Sequence, residues 1–478
     1  MRRFFLFLVG FCVVAAGFFG GFSADVLQPG QKPDALAQRL RLIPARVARA
    51  MRPAPARAAA AAQDGELPLQ ETYAGVLRVL RANYYGANGT GIAAAAAPSS
   101  TKLTYAAIRG SLRTLGDPYT VFWTPDEFAR QMEDTKGDFG GIGAQLDVNE
   151  KKQIYVAKPI EDSPAARKGV QRGDLIIAVD GRPVQGLSVS SLVSRIRGKE
   201  GTNVRLTLQR GERTFDLVIE RAIIHSPIVK SRMQDAASGV GYIALDQFNE
   251  QADEQFQHHL SQLEKKGLKA LIFDLRGNPG GLLNIAQDLA SRFISSGKIV
   301  IVQERNGKES SLDVEQNKHQ SRALVSGKYP VVVLVNGGSA SASEIVSGAI
   351  KDHRVGTLIG TTTYGKGLVQ TIIPVSGDAA VKVTTQRYFT PNHVDINKKL
   401  DEAGKQISGG IVPDIEVKVT NADTEAMQKA YKADPDDTAH DPQLNKAVSV
   451  LKDQLAGRLP RPVATDGAAG AAQKTARR

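Results

Sequence analysis

The chain has 478 residues, 42% of them hydrophobic, with 46 glycines and 22 prolines, enough for two or three domains with many turns. The formal charge of +12 sits mostly at the ends, with nine Arg/Lys against four acids in 1–66 and five against one in 458–478. That distribution excludes a nucleic-acid groove as the main reading and favours charged tails near an anionic membrane surface.

The N-terminus, MRRFFLFLVGFCVVAAGFFGGFSAD, places two arginines before an uncharged apolar run from Phe4 to about Phe22. Residues 1–24 are a secretion signal, either cleaved or kept as an anchor, because the run is long for a signal and just long enough to span a bilayer. The protein is therefore expected to be exported, in the periplasm or anchored facing it. The single cysteine, Cys12, lies in this run, so a cleaved product has no disulfide, thiolate metal site or cysteine nucleophile. Residues 25–66, rich in Ala, Pro and Arg, read as a flexible linker.

Helical spacing begins near Leu67 with Tyr73, Val76, Leu77 and Leu80, and resumes at Leu103, Ile108 and Leu112 after the low-complexity NGTGIAAAAAPSS. GDPYTVFWTPDEF (Gly116 to Phe128) turns and restarts a helix, with Thr124 as N-cap and Pro125 at the first helical position. Residues 67–136 are thus a small helical region. Short alternating strands fill 137–222: FGGIG (Phe139, Gly140, Gly141, Ile142, Gly143) is a glycine-rich loop before a strand, and RGDLIIAVDG is a buried strand ending in an Asp-Gly turn. The loop's backbone N–H groups can capture a carboxylate. With SPAARKGVQRGDLIIAVDG following, the order and spacing resemble a PDZ domain.

From 223 to 420 strands alternate with helices: GYIALDQF, a helix from Asp253, ALIFDLRGNPGG, LLNIAQDLASRFI, KIVIV, VVVLVN, a helix, VGTLIG and VKVTTQRYF. This predicts an α/β domain with a mostly parallel sheet. Residues 421–457 are a C-terminal helical segment. Within it, 442–455 can pair subunits into a homo-oligomer or pack on its own domain, and the second is the expectation. Residues 458–478 are a disordered basic tail.

Asn336 to Glu344 reads NGGSASASE, between the buried strand YPVVVLV and the apolar helix IVSGAIKDH. A serine at a strand-to-helix turn is placed as a nucleophile, because N–H groups at the helix start and the helix dipole favour negative charge there. Of Ser339, Ser341 and Ser343 the central one is expected to project, with the Ala342 N–H behind it. A Ser-His-Asp set is disfavoured, since none of the seven histidines has a paired Asp in a recognisable setting and His353 should point away. Lys366, between two glycines in TTTYGKGLVQ, is the other candidate base. Acting near neutral pH requires its pKa to fall from about 10.4 toward 7–8, at a cost of roughly 3–5 kcal/mol to the ammonium form, which burial can impose. Taken alone, this stretch is better explained by a solvated lysine in a glycine turn.

SASASEI with GKGLVQ downstream resembles the carboxyl-terminal processing proteases, also called tail-specific proteases. SLRTLGDPYTVF, DLRGNPGG and GGIVPDIEV extend the resemblance from about Leu67 to Val419. It implies a crotonase/ClpP-like catalytic domain with an inserted PDZ domain, and a serine endopeptidase that cleaves exported proteins near their C-termini. The nucleophile would be Ser341 and the base Lys366, 25 residues on, with Gln370 four residues further. A glycine of DLRGNPGG, Gly280 or Gly281, would join Ala342 in the oxyanion hole, where losing one donor costs about 3–4 kcal/mol. Asp274 and Arg276 would brace that loop. The PDZ loop 139–143 would bind the free C-terminus of a protein substrate. No cofactor or metal is implied; an adaptor protein is left open, and the N-terminal segment would meet the membrane surface.

Two other readings share the scaffold. A non-catalytic ligand- or peptide-binding protein, like the interphotoreceptor retinoid-binding proteins, would not need Ser341, Lys366 and Gln370 together with a PDZ insertion. A crotonase-like acyl-CoA enzyme would be exported away from its coenzyme. Two departures stand out: Gly337 occupies the place of a common Glu, and NHVDINKKLDEAGKQISGG is a long charged stretch, expected to be a surface loop.

Overall fold

The computed structural model describes residues 69–83, 99–149, 151–315, 325, 327–402, 406–433 and 437–462. The signal or anchor at 1–24, Cys12, the linker at 25–66, most of NGTGIAAAAAPSS and the tail beyond 462 lie outside the described residues. Among the described residues no helix is long and apolar enough to cross a membrane. The chain divides into two compact units, 1–107 and 108–478. In the first, helix α1 (Leu69–Asn83) is followed by the start of α2 (Ser100–Arg113), and the Tyr73 hydroxyl donates to Thr104 Oγ1 at 3.2 Å.

The second unit opens with the turn predicted at 116–128. Strand β1 (Val121–Trp123) leads into helix α3 (Pro125–Lys136), which Thr124 caps in a capping box with Glu127, and Pro125 follows at the helix start. Both orphan N–H groups are thereby satisfied. Strand β2 (Asp138–Gly141) then enters the PDZ-like domain. Its strands are β3 (Ala144–Val148), β4 (Ile154–Pro159), β5 (Leu175–Val179), β6 (Arg182–Pro183), β7 (Asn203–Arg210) and β8 (Arg213–Glu220). They form an antiparallel sheet in the order β3-β4-β5-β7-β8, with β6 on β5. Helices α4 (Pro164–Arg167) and α5 (Val189–Ile196) complete it. Val204, Leu206 and Leu208 of β7 alternate into the core and meet Leu192 and Ile196, one turn apart on α5. Strand β9 (Ala222–His225) leaves beside β2, so two adjacent strands join the PDZ-like domain to the rest.

The core of the α/β domain is a six-stranded sheet. Its members are β10 (Val229–Asp235), β11 (Val240–Leu245), β12 (Ala270–Asp274), β15 (Val331–Val335), β16 (Thr357–Gly360) and β19 (Ile415–Glu416), in that spatial order. Only the β10–β11 pair is antiparallel. Every residue of β12 and β15 is buried, as expected of strands covered on both faces. Helices α6 (Ala252–Lys265), α7 (Leu283–Ala290) and α8 (Ala342–Asp352) contribute Phe256, Leu289 and Val346 to the cluster that includes Phe273 and Val333. A separate cluster joins Ile272 and Val332 to helix α10 (Pro442–Leu455), reached through α9 (Asn421–Ala433). Leu444, Ala447, Val450 and Leu451 of α10 are buried there, each large side chain contributing about 1.5–3 kcal/mol. The apolar face of 442–455 is thus used within its own domain.

The other strands depart from the sequence reading. β13 (Lys298–Glu304), β14 (Glu309–Asp313), β17 (Leu368–Val375) and β18 (Ala379–Phe389) do not extend the parallel sheet. With β1 they form an antiparallel sheet, ordered β1-β18-β13-β14, with β17 on β18. The cause is connection length: β13–β14 and β17–β18 are joined by turns too short for a parallel crossover.

Candidate active site

Strand β15 delivers the chain into Asn336-Gly337-Gly338, and α8 begins at Ala342. The three serines of the turn have different fates. Ser339 is fully buried; its hydroxyl donates to Leu275 O at 2.8 Å and accepts the Asn336 N–H at 3.0 Å. Ser343 is also fully buried and donates to Asn278 O at 2.9 Å. Ser341 is half-buried, and its hydroxyl lies between the Glu344 N–H, which it faces in a capping box, and the Tyr388 hydroxyl. Its backbone is strained, with φ 55° and ψ −114°, a conformation costing about 1–3 kcal/mol that holds the side chain out of the turn. Two hydroxyls brace the turn and one is presented. The Ala342 N–H behind it is the first of the helix and has no intrahelical acceptor.

The loop DLRGNPGG lies against this turn. A Cβ on Gly280 would stand 2.6 Å from Ala340 O and 2.8 Å from Ala342 N, so no side chain fits there. A Cβ on Gly281 would stand 2.1 Å from Phe248 O. Buried Asn278 fixes the loop, donating to Leu245 O at 2.8 Å and accepting the Gly280 N–H at 2.9 Å. The Gly280 N–H is therefore occupied, whereas the Gly281 N–H has no partner among the described residues. Asp274 and Arg276 form the expected brace: Arg276 donates to Asp274, Asp441 and Gln443, and the Tyr242 hydroxyl donates to Asp274 at 2.8 Å. The loop is thereby tied to the head of α10.

Lys366 lies in the loop between β16 and β17, held on every side by backbone bonds. Its N–H donates to Glu344 Oε2 at 2.9 Å, and its carbonyl accepts the Tyr388 hydroxyl at 2.5 Å. The Lys398 N–H donates to Gly365 O at 2.8 Å, and the Gly367 N–H to Asn397 Oδ1 at 3.3 Å. The charged stretch after Thr390, expected to be a surface loop, is exposed at 399–402 and 406–408, but its base clamps both glycines beside Lys366. The amine is partly buried and stands 5.0 Å from the centre of the Tyr119 ring. Burial, then the nearby Lys382 ammonium, hold its pKa below the ordinary lysine value, while Tyr364, Glu344 and Asp117 pull the other way. Among the described residues no hydrogen bond joins Lys366 Nζ to Ser341 Oγ or to Gln370. Gln370 Nε2 donates to Thr384 Oγ1 at 3.4 Å, which leaves its carbonyl oxygen open. His353 points away, as expected, with Nε2 donating to Lys298 O at 2.7 Å.

Residues 239–417 match peptidase family S41, and residues 155–210 match the PDZ domain family. The chain is 36% identical over 388 residues to the carboxy-terminal-processing protease of Bartonella bacilliformis, a match covering 75% of this chain and 85% of that protein. It belongs to the carboxy-terminal-processing proteases. A protein of that name from Synechocystis sp. is 37% identical over 300 residues, covering 62% of this chain and 69% of its own. Among solved structures, the photosystem II D1 C-terminal processing protease aligns with 76% of this chain and 96% of its own at 28% identity, with a TM-score of 0.41. The chain is a serine-type peptidase of this family, acting on protein substrates.

In this processing protease the PDZ loop divides in two. Phe139, Gly140 and Gly141 belong to β2 and pair with β9, whereas Ile142 and Gly143 form the open loop. Their carbonyls are tied back, Ile142 O by the Ala165 N–H and Gly143 O by the Ile160 N–H and the Ser163 hydroxyl. Their N–H groups have no partner among the described residues. Beside them runs a 290 Å³ groove lined by Ile142, Ala144, Leu146, Val193, Ile196 and Arg197. It is mainly apolar, and Arg197 is the one cation in its lining. No cluster of three His, Cys, Asp or Glu side chains among the described residues could hold a metal. Sequence reasoning gave no role to Glu344, Tyr388 or Tyr119. Glu344, an acid among apolar residues at the start of α8, carried the one signal that could have flagged it.

Proposed function

We propose that this peptidase uses a Ser341–Lys366 dyad to cleave exported proteins near their C-termini, with its PDZ groove holding the substrate's tail. The observation that carries the reading is the strained turn that presents Ser341 at the start of its helix, beside a lysine whose surroundings disfavour the ammonium. Neutral Lys366 swings from Tyr119 and takes the Ser341 proton as Oγ attacks the scissile carbonyl. Gln370 Oε1, open in the resting arrangement, accepts from the amine and holds it toward Oγ. The Ala342 and Gly281 N–H groups hold the oxyanion; Gly280 contributes the close approach that its missing side chain permits. Lys366 then passes its proton to the leaving amine and activates water to release the acyl group.

The Ile142 and Gly143 N–H groups are matched to a terminal carboxylate, and the apolar groove beside them to apolar tail residues added alongside β3. Export rests on the N-terminal MRRFFLFLVGF pattern, which also puts the protein at a membrane surface. The test is incubation with an unstructured protein, comparing wild type with Ser341→Ala and Lys366→Ala. Cleavage by wild type alone is expected, with KM raised when the substrate's C-terminus is amidated. Equal cleavage by all three would overturn the dyad, and an unchanged KM on amidation would overturn tail capture.

A further inference from the structure

Ser341 and Lys366 come from different elements, and a dyad tolerates misplacement of only about 0.5 Å. One buried carboxylate connects them. Glu344 Oε2 accepts the Ser341 N–H and the Lys366 N–H, each at 2.9 Å, while Oε1 accepts the Gly365 N–H at 2.7 Å and the Thr363 hydroxyl at 2.5 Å. The Thr363 hydroxyl itself accepts the Ile411 N–H at 2.7 Å, so its own proton is directed at Glu344. All four partners are donors, which is the arrangement an ionised carboxylate satisfies. Burial pushes the Glu344 pKa up, and these four donors pull against it.

On the carbonyl side, the buried Tyr388 hydroxyl lies 2.5 Å from Lys366 O and 3.1 Å from Ser341 O, between the same two residues. Helix capping alone does not explain this. An acid three residues after the cap commonly reaches back to the cap N–H, which accounts for the bond to Ser341. It does not call for three further bonds to Thr363, Gly365 and Lys366, or for full burial of a charge in an otherwise apolar helix turn. Burying an ionised group is costly unless every site on it is paired, as here.

We propose that Glu344 is a positioning residue that sets the separation of nucleophile and base, with Tyr388 as its counterpart on their carbonyls. The proposal rests on the Ser341–Lys366 reading and adds to it the device that holds the two in register. Glu344 also acts on Lys366 through charge. The amine is faced by Lys382, which disfavours its ammonium, and by Tyr364, Glu344 and Asp117, which favour it, with the Tyr119 ring beneath. Neutralising Glu344 removes one of the favourable charges.

The test uses the full chain and a peptide that the wild type cleaves, with kcat and KM measured across pH for Glu344→Gln, Thr363→Val and Tyr388→Phe, and thermal unfolding alongside. For Glu344→Gln, kcat is expected to fall about 10²-fold with KM held within about twofold. The acid limb of its profile should move to lower pH. Thr363→Val and Tyr388→Phe should lower kcat less, with the limb of Tyr388→Phe unmoved. A folded Glu344→Gln enzyme with wild-type kcat, or with a loss confined to thermal stability and an unmoved limb, overturns the proposal. Should Glu344→Gln not fold, wild-type kcat in both other variants overturns it. A wild type that cleaves no peptide sinks the Ser-Lys reading itself, a separate outcome.

Discussion

Lys366 Nζ stands 5.0 Å from the centre of the Tyr119 ring, and no hydrogen bond among the described residues joins it to the Ser341 hydroxyl. An aromatic face stabilises an ammonium by about 0.5–2 kcal/mol, so this ring opposes the proton loss that burial favours. Replacing Tyr119 by Leu keeps an apolar wall and removes the ring. The amine should then lose its proton more readily, and the acid limb of kcat/KM should shift to lower pH. Tyr119→Phe keeps the ring and should leave the limb in place, although both variants lose the 3.5 Å contact to the Tyr364 hydroxyl. Identical pH profiles for the two variants would show that the ring does not govern the amine.

Lys382 supplies the opposite sign. Its ammonium disfavours a second positive charge on Lys366, after burial the next cause holding that pKa below the ordinary value. In the proposed dyad the neutral amine is the active form, so activity should rise with pH through the depressed Lys366 pKa. Lys382→Met removes the repulsion, raises that pKa and should move the acid limb of kcat/KM to higher pH. A shift to lower pH, or none, would contradict the assignment of Lys366 as base.

The glycines of the DLRGNPGG loop should be separable. Gly280→Ala puts a methyl group 2.8 Å from both Ala342 N and Ser341 Cβ at φ 99°, so it displaces the serine turn itself. Activity should fall at least about 10²-fold, the scale expected for misplacing catalytic groups by about 1 Å. Gly281→Ala meets Phe248 O at 2.1 Å, so it should disturb the bridge between this loop and Phe248 and lower thermal stability as well as kcat. Full activity in either variant, measured with thermal unfolding, would show that the loop does not approach the reaction centre as closely as these contacts require.

Much of this was legible in the chain. The Thr124 cap, the PDZ-like strands, the helix at 442–455 and the outward turn of Ser341 follow from local patterns: a capping box, alternation, an apolar period and a strand-to-helix junction. The antiparallel sheet was missed although its signals were present, since Asn306-Gly307 and Ser376-Gly377-Asp378 are hairpin turns that forbid a parallel crossover. The clamp around Lys366 could not be read. Glu344, Tyr388 and Asn397 reach it from separate elements, and only the fold brings such partners to one loop. The resemblance that pairs Ser341 with Lys366 therefore says nothing of what holds the two in place.

The most direct measurement is to trap the acyl group. A substrate ester is mixed with enzyme, quenched within one turnover, and the protein is digested and mapped by mass spectrometry, for wild type, Ser341→Ala and Lys366→Ala. The proposed dyad requires one adduct, on Ser341, absent in Ser341→Ala and formed far more slowly in Lys366→Ala. An adduct on Ser339 or Ser343, or acylation of Ser341 at the wild-type rate without Lys366, would contradict it.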